Sequence, residues 1–384
     1  MQRIYLDHAS ASPVDPRVVE FLQPFLTETY GNPSTLYSVG LAAKRSLELA
    51  RSEVAALIHA EDPSTIIFTG SATESNNLAI RGTALRNPKM GKNVAASAIE
   101  HISVLNPMKD LQKQGYTFSL LPVNSQGVLD LEKLTELGTK ETVLTSINYA
   151  NDEIGTIEPI REISEITHDK GGYLHVNGTA AVGRIAVDVQ KDGIDLLTLS
   201  SNEMHGPRGA AALYIKPGIK LQPILPGGGQ ERGLRSGTEN LFAIAGMGKA
   251  AVLAMQEMGA EQARFRSMAA AYREGILKIP DAYLTGHPDR RLPHHLSFRF
   301  SRIEGESILL YLDTAFHIQV ATGSACTSRT LEPSHVLLAI GLKHEEAHGS
   351  MIMTMGRSNK EEEVPIVVNA VTKTVERLRS ITAL

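Results

Sequence analysis

Two stretches of this 384-residue chain carry residue types whose spacing could do chemistry. The first is Ile66-Ile67-Phe68-Thr69-Gly70-Ser71-Ala72-Thr73-Glu74-Ser75-Asn76-Asn77: an apolar run, then small residues, then a helix start. Ser71 and Glu74 have capping-box spacing. Small residues let backbone N–H groups approach an anion, and a helix N-terminus favours negative charge. The stretch reads as a phosphate cup or, on its own, as an ordinary capped helix after a strand. The second is Gly323-Ser324-Ala325-Cys326-Thr327-Ser328, which holds the only cysteine. One cysteine can form neither an internal disulfide nor a CxxC metal site. Lone cysteines often serve as small buried hydrophobes, but glycine and small residues around this one suit an exposed, mobile loop.

The elements that must position these residues follow from periodicity. Short β-rich runs at residues 65–70, 93–99, 117–123, 142–150, 172–177, 196–201 and 211–215 alternate with helical patterns. In one of these patterns Leu47, Ala50, Val54, Leu57 and Ile58 share a face. Such alternation predicts an α/β domain with a mostly parallel sheet covered on both sides. After about residue 255 the texture changes to a helix at 261–277, a Pro/His-rich segment, short strands at 296–300 and 317–320, and a terminal helix from about Glu361. The expected division is a large domain over 14–255 and a small α+β domain from 1–13 and 256–384, which carries the Cys326 loop.

Composition narrows the classes. Hydrophobic content of 42% and charged content of 21% are ordinary for a globular chain. With 38 basic and 42 acidic residues, and no basic cluster, nothing suggests a nucleic-acid partner. No apolar stretch is expected to approach the ~20 residues that span a bilayer. The start, MQRIYLDHAS, lacks a secretory layout, so a cytoplasmic location is expected.

Further motifs occur in a definite order: Tyr5-Leu6-Asp7-His8-Ala9 with Pro13-Val14-Asp15; Gly31-Asn32-Pro33-Ser34; Glu100-His101; Tyr149-Ala150-Asn151-Asp152-Glu153-Ile154-Gly155-Thr156. They are followed by Gly227-Gly228-Gly229-Gln230-Glu231-Arg232-Gly233-Leu234-Arg235-Ser236-Gly237-Thr238-Glu239-Asn240 and Thr322-Gly323-Ser324-Ala325-Cys326-Thr327. Together with residues 68–77 they resemble the NifS/IscS-type cysteine desulfurases of the class V aminotransferase-like, fold-type I pyridoxal phosphate family. The resemblance implies a transferase fold with a large α/β domain and a small C-terminal α+β domain. It also implies phosphate contacts from Ser71, Ala72, Thr73 and Ser200, a ring-stacking His101, and a ring-oxygen contact from Asn151. Thr238 would reach the neighbouring subunit's phosphate, and hence a homodimer is implied. In active relatives the thiol matching Cys326 takes sulfur from cysteine as a persulfide, leaving alanine, and delivers it to a small U-type scaffold protein.

The catalytic positions depart from that pattern. Pyridoxal chemistry needs a lysine that links to the cofactor and moves the α-proton. Where the pattern has Ser-x-His-Lys, this chain has Ser200-Ser201-Asn202-Glu203, so Glu203 replaces the lysine and Asn202 its histidine neighbour. A carboxylate cannot condense with an aldehyde. The family's His-x-Asp-Ala-x-Gln reads His175-Val176-Asn177-Gly178-Thr179-Ala180. Asn177 cannot hold a pyridinium by ion pairing, and Ala180 lacks the amide. Ile352 stands where an arginine would grip the substrate carboxylate.

Several expectations follow. Desulfurase turnover should be absent or negligible. Pyridoxal phosphate, if bound, is held non-covalently. Cys326 serves as the fourth ligand of an iron–sulfur cluster, of the 2Fe-2S type, shared with a U-type scaffold in a heterotetramer, or as a persulfide relay. The other reading keeps an active, pyridoxal phosphate-dependent cysteine desulfurase.

Overall fold

The structure is a computed structural model that describes residues 3–323 and 333–382. Cys326 and its loop lie outside the described residues.

All seven expected strands of the large domain form one sheet. Its order is Ile66–Thr69, Ala211–Ile215, Leu196–Ser200, Tyr173–Asn177, Thr142–Asn148, Asn93–Ser97, Thr117–Leu121. Ala211–Ile215 runs antiparallel to both neighbours, and every other pairing is parallel. Because the pleat alternates, Ile66, Phe68, Ala95, Leu197 and Leu199 face one core, and Ile67, Val94, Ala96, Leu196 and Leu213 the other. Helices Ala72–Arg86 and Ile102–Gln112 seal the second face through Leu78, Ile80, Val104 and Met108. Burial on both faces explains why these strands read as continuous apolar runs.

A second sheet joins Ser350–Thr354, His295–Phe300 and Ala282–Leu284, all antiparallel. Ile4–Tyr5 pairs separately with Ile318–Gln319. Ser350–Thr354 was not foreseen as a strand: Met351, Met353 and Met355 carry little β signal, and packing against Phe298 and Phe300 decides it.

The helix expected at 261–277 is the distal half of a 36-residue helix, Leu241–Ile276. Its first half, including Ile244, Met247 and Ala251, packs into the large sheet's core, and its second half, including Phe265, Met268 and Tyr272, into the small sheet's. Gly248 permits close passage past helix Ser38–Leu57, for a Cβ there would stand 2.7 Å from Ala50 Cα. Contrary to the composition-based expectation, this helix is long and apolar enough to cross a membrane. Its apolar window is 61% buried within the protein, which accounts for that hydrophobicity as core.

Candidate functional site

The parallel strands end on one edge of the sheet, and that edge is where open α/β sheets bind ligands. Asn148 and Asn177 end two of these strands, His101 follows a third, and Glu203 sits in the short turn Asn202–Met204 after a fourth. With Ala72, Thr73, Asn76, Asp152, Ala180, His294 and His295 they line a cavity of about 190 Å³. His294 and His295 close it from the small sheet's side.

The first wall is the helix start. Ser71 caps Ala72–Arg86, its Oγ accepting from Glu74 N at 3.2 Å. The other arm of the capping box is displaced: Glu74 accepts instead from Gly70 N at 2.8 Å and pairs with Arg235 at 2.9 Å. The N–H groups of Ala72 and Thr73, in the first turn, have no intrahelical acceptor by geometry. Behind them Asn76 Nδ2 donates to Ser103 Oγ (2.8 Å), which lies 2.7 Å from His101 Nδ1. Nδ1 also accepts from Ser103 N, which fixes the ring at the head of helix Ile102–Gln112.

The second wall is acidic. Burial pushes the Glu203 carboxyl up to about 7; Arg184 and the 3.1 Å hydrogen bond from Asn202 oppose the shift, and Asp152 and Asp7 add to it. Asp152 also lines the cavity, whereas no lysine or arginine among the described residues does. Burial holds His295 down at about 3 and His294 well below the usual range, so both are neutral at pH 7. Asn177 Nδ2 donates to Glu100 Oε2 at 3.3 Å.

Glu100 is fully buried and desolvation raises it to about 8, with Asp152 and Glu158 adding to the rise and the donors Asn177 and His101 N opposing it. Because the folded value lies above the unfolded 4.5, the protonated carboxyl contributes fully at acid pH, and stability falls as pH climbs from about 4.5 through about 8. The slope from one such group is at most about 1.4 kcal/mol per pH unit. Glu100→Gln should therefore gain on wild type between pH 5 and pH 8 in urea midpoint. A difference that stays constant over that range would count against a buried, protonated Glu100.

Several expected site residues are placed differently. Asn151 does not line the cavity: its amide donates to Ile99 O and accepts from Glu153 N and Ile154 N, so the turn consumes it. Its neighbour Asp152 takes the lining position. Gly155 in that turn has φ +76°, and a Cβ there would stand 2.7 Å from His295 Nδ1. Ser71 faces a shallow outer groove instead, Ser200 is not a lining residue, and Thr238 is exposed. Ala72, Thr73, His101, Asn177, Ala180 and Glu203 do converge. Asn202 stands behind the wall, accepting from Ser12 N. Ile352 lines an adjoining cavity, lies within a strand and is 5% exposed. Arg357 pairs with Asp15 (2.7 Å) and Glu261 (2.7 Å), which ties the small sheet's end to the long helix. Asn76, Asn148, Asp152, His294 and His295 were not singled out as site residues, although Asn76 and Asp152 lie within the motifs at 66–77 and 149–156 and the Pro/His-rich texture near 293–295 holds the two histidines.

Comparison with known proteins agrees with this fold. Residues 4–367 match the Aminotransferase class-V family. The chain belongs to the class V aminotransferases, in their NifS/IscS group. A cysteine desulfurase IscS 1 of Archaeoglobus fulgidus is 51% identical over 380 residues, covering 99% of both chains. A cysteine desulfurase IscS of Methanosarcina thermophila is 43% identical, covering 99% of this chain and 94% of that one. Among solved structures, a NifS-like protein superposes with a TM-score of 0.92 at 32% identity, over 98% of this chain and 100% of its own. The NifS-like protein of Rickettsia africae gives 0.89 at 30%, over 98% and 100%.

Membership in the NifS/IscS group implies pyridoxal phosphate, which supplies an electron sink for amino-acid carbanions. The residues present fit it in part. The helix start can take a phosphate, but among the described lining residues none can form the covalent link, and Asn177 offers no carboxylate to a pyridinium. Covalently held pyridoxal phosphate does not fit this NifS/IscS cavity.

Proposed function

We propose that this NifS/IscS-type chain is a desulfurase-derived platform for iron–sulfur cluster assembly, with desulfurase turnover lost or very low. The observation that carries the reading is Glu203 in a cavity with no lysine among the described lining residues. Loss of the amine removes both the tether and the base, while Asn177 and Ile352 withdraw the ring's counter-ion and the substrate clamp. Cys326, kept in its Gly-Ser-Ala-Cys-Thr-Ser setting, then has a role outside turnover. Iron–sulfur clusters need four protein ligands, usually cysteines, so one chain with one cysteine needs a partner. A U-type scaffold supplying three would leave Cys326 as the fourth ligand to a 2Fe-2S cluster, in a heterotetramer of two platforms and two scaffolds. A cytoplasmic homodimer with Thr238 at its interface is part of the same proposal. The persulfide relay is the simpler variant, in which Cys326 passes on sulfur from another donor.

The test is anaerobic co-purification of the scaffold with wild-type and Cys326→Ala chains. Loss of the cluster, or a much shorter lifetime on exposure to air, is expected for the variant. Equal occupancy and stability in both would remove Cys326 as a ligand.

The names of the relatives favour a second reading, an active pyridoxal phosphate-dependent cysteine desulfurase. It requires a covalent bond between the cofactor and some other lysine. A near-visible absorption band abolished by borohydride, with the cofactor then fixed to one peptide, would establish it.

A further inference from the structure

The cavity that has lost its lysine is still built for a polar ligand. Asn148 is 3% exposed and lines it, and neither its amide nitrogen nor its amide oxygen has a protein partner. Asn76 Oδ1, His294 Nδ1 and His295 Nδ1, on lining residues that are also buried, are without partners as well. Buried polar groups are nearly always paired, because an orphan forfeits about 1–3 kcal/mol of solvation. Four residues with unpaired polar atoms around one small space mark a site where a ligand supplies the missing hydrogen bonds.

The ligand's charge pattern follows from the two walls. At one end the first turn of the 15-residue helix Ala72–Arg86 presents N–H groups beside the small side chains of Ala72 and Thr73, a setting for a phosphate. At the other end stand Glu203 and Asp152; Arg184 acts on Glu203 from behind the wall, but among the described residues no basic side chain lines the cavity itself. A carboxylate in a lysine's place inverts the local demand. Where the amine lay on the protein and the aldehyde on the ligand, the protein now offers an acceptor and the ligand must bring the ammonium. Between the walls His101 provides a ring face, and the neutral amide of Asn177 accepts a ring that is not held as a pyridinium.

The geometry points to a phosphorylated aromatic primary amine, of the class of pyridoxamine 5′-phosphate, as the non-covalent ligand of this cavity, its ammonium on Glu203 and its phosphate at the helix start. Such a ligand would brace the cavity without being turned over, since neither a tethering amine nor a pyridinium counter-ion is present. It differs from the aldehyde cofactor of the family in just the group that faces the substituted position.

Calorimetric titration of the full-length chain tests this with four probes: pyridoxamine 5′-phosphate, pyridoxine 5′-phosphate, pyridoxal 5′-phosphate and unphosphorylated pyridoxamine. Pyridoxine 5′-phosphate carries a hydroxyl where the amine would be, so the comparison isolates the Glu203 contact. A charge-assisted hydrogen bond in a buried site is worth about ten- to a hundredfold in affinity, and that is the expected preference for the amine over the alcohol and the aldehyde. Pyridoxamine should bind far more weakly than its phosphate. Glu203→Gln should abolish the preference and leave phosphate-dependent binding in place. Equal affinity for amine and alcohol in the wild type, a preference for the aldehyde, a preference that survives Glu203→Gln, or no binding of any phosphorylated probe would each overturn the proposal. The wild-type series decides the matter even if the variant does not fold. Titration reports on Glu203 and the cluster experiment on Cys326, so the two readings fail separately.

Discussion

Purified protein given L-cysteine and pyridoxal phosphate should release sulfide no faster than the cofactor does free in solution. Removal of a general base alone lowers rates by about 10²–10⁴-fold. Here the same substitution also removes the tether that orients the cofactor, and Ile352, packed in the strand Ser350–Thr354, has no donor for a substrate carboxylate. Effects on groups that act as a unit do not add simply, so restoration should be equally incomplete. Glu203→Lys is expected to regain a borohydride-fixable bond to pyridoxal phosphate, because an amine and an aldehyde then share one cavity, yet to stay far below an active relative in turnover. Asn177 would still leave the ring nitrogen without a carboxylate. Sulfide assays on both chains, run beside a lysine-bearing relative, decide the point. Ordinary turnover by the wild type would end the platform reading, and full recovery by the single variant would show that the other substitutions are neutral.

The second large effect concerns stability. Arg51, on helix Ser38–Leu57, grips Glu231 through both terminal nitrogens at 2.8 and 2.7 Å, with the two side chains 9% and 1% exposed. The same guanidinium donates to Ile66 O at 2.8 Å and lies over the Phe68 ring, and Glu231 also accepts from Phe68 N. Glu231 and Arg232 adopt left-handed backbone, φ 44° and 57°, which this pair holds in place. Removing one partner strands a buried charge, so Arg51→Ala should lower unfolding free energy by about 3–5 kcal/mol, read from the urea midpoint. The exposed Lys133–Glu136 pair, at 48% and 62% exposure, should give less than about 1 kcal/mol when broken. Similar losses at the two positions would mean that Glu231 finds solvent or another partner once Arg51 is gone. The loop it anchors runs on to Arg235 and Thr238, so Arg51→Ala should loosen the segment proposed for the dimer interface as well.

The seven strands of the large sheet were readable from the chain because each is short, apolar and bounded by turn residues, and both faces are buried. The unbroken span of helix Leu241–Ile276 was not, since its apolar stripe changes sides where it passes from one core to the other and a window over either half sees a separate helix. The substituted positions were legible too: residue identity alone puts an acid at 203, an amide at 177 and an aliphatic side chain at 352, and the proposed loss of turnover rests on these types.

Which side chains meet was decided in three dimensions. Asn151 and Asp152 are adjacent in sequence, but the turn spends one on backbone hydrogen bonds and aims the other at the cavity. His294 and His295 reach the site from a separate sheet, and Asn148 is an ordinary strand residue until burial leaves its amide without partners. Chemistry that depends on what a residue is can be read along the chain. Chemistry that depends on direction, desolvation and unmet hydrogen bonds exists only once the two sheets have closed over the strand ends.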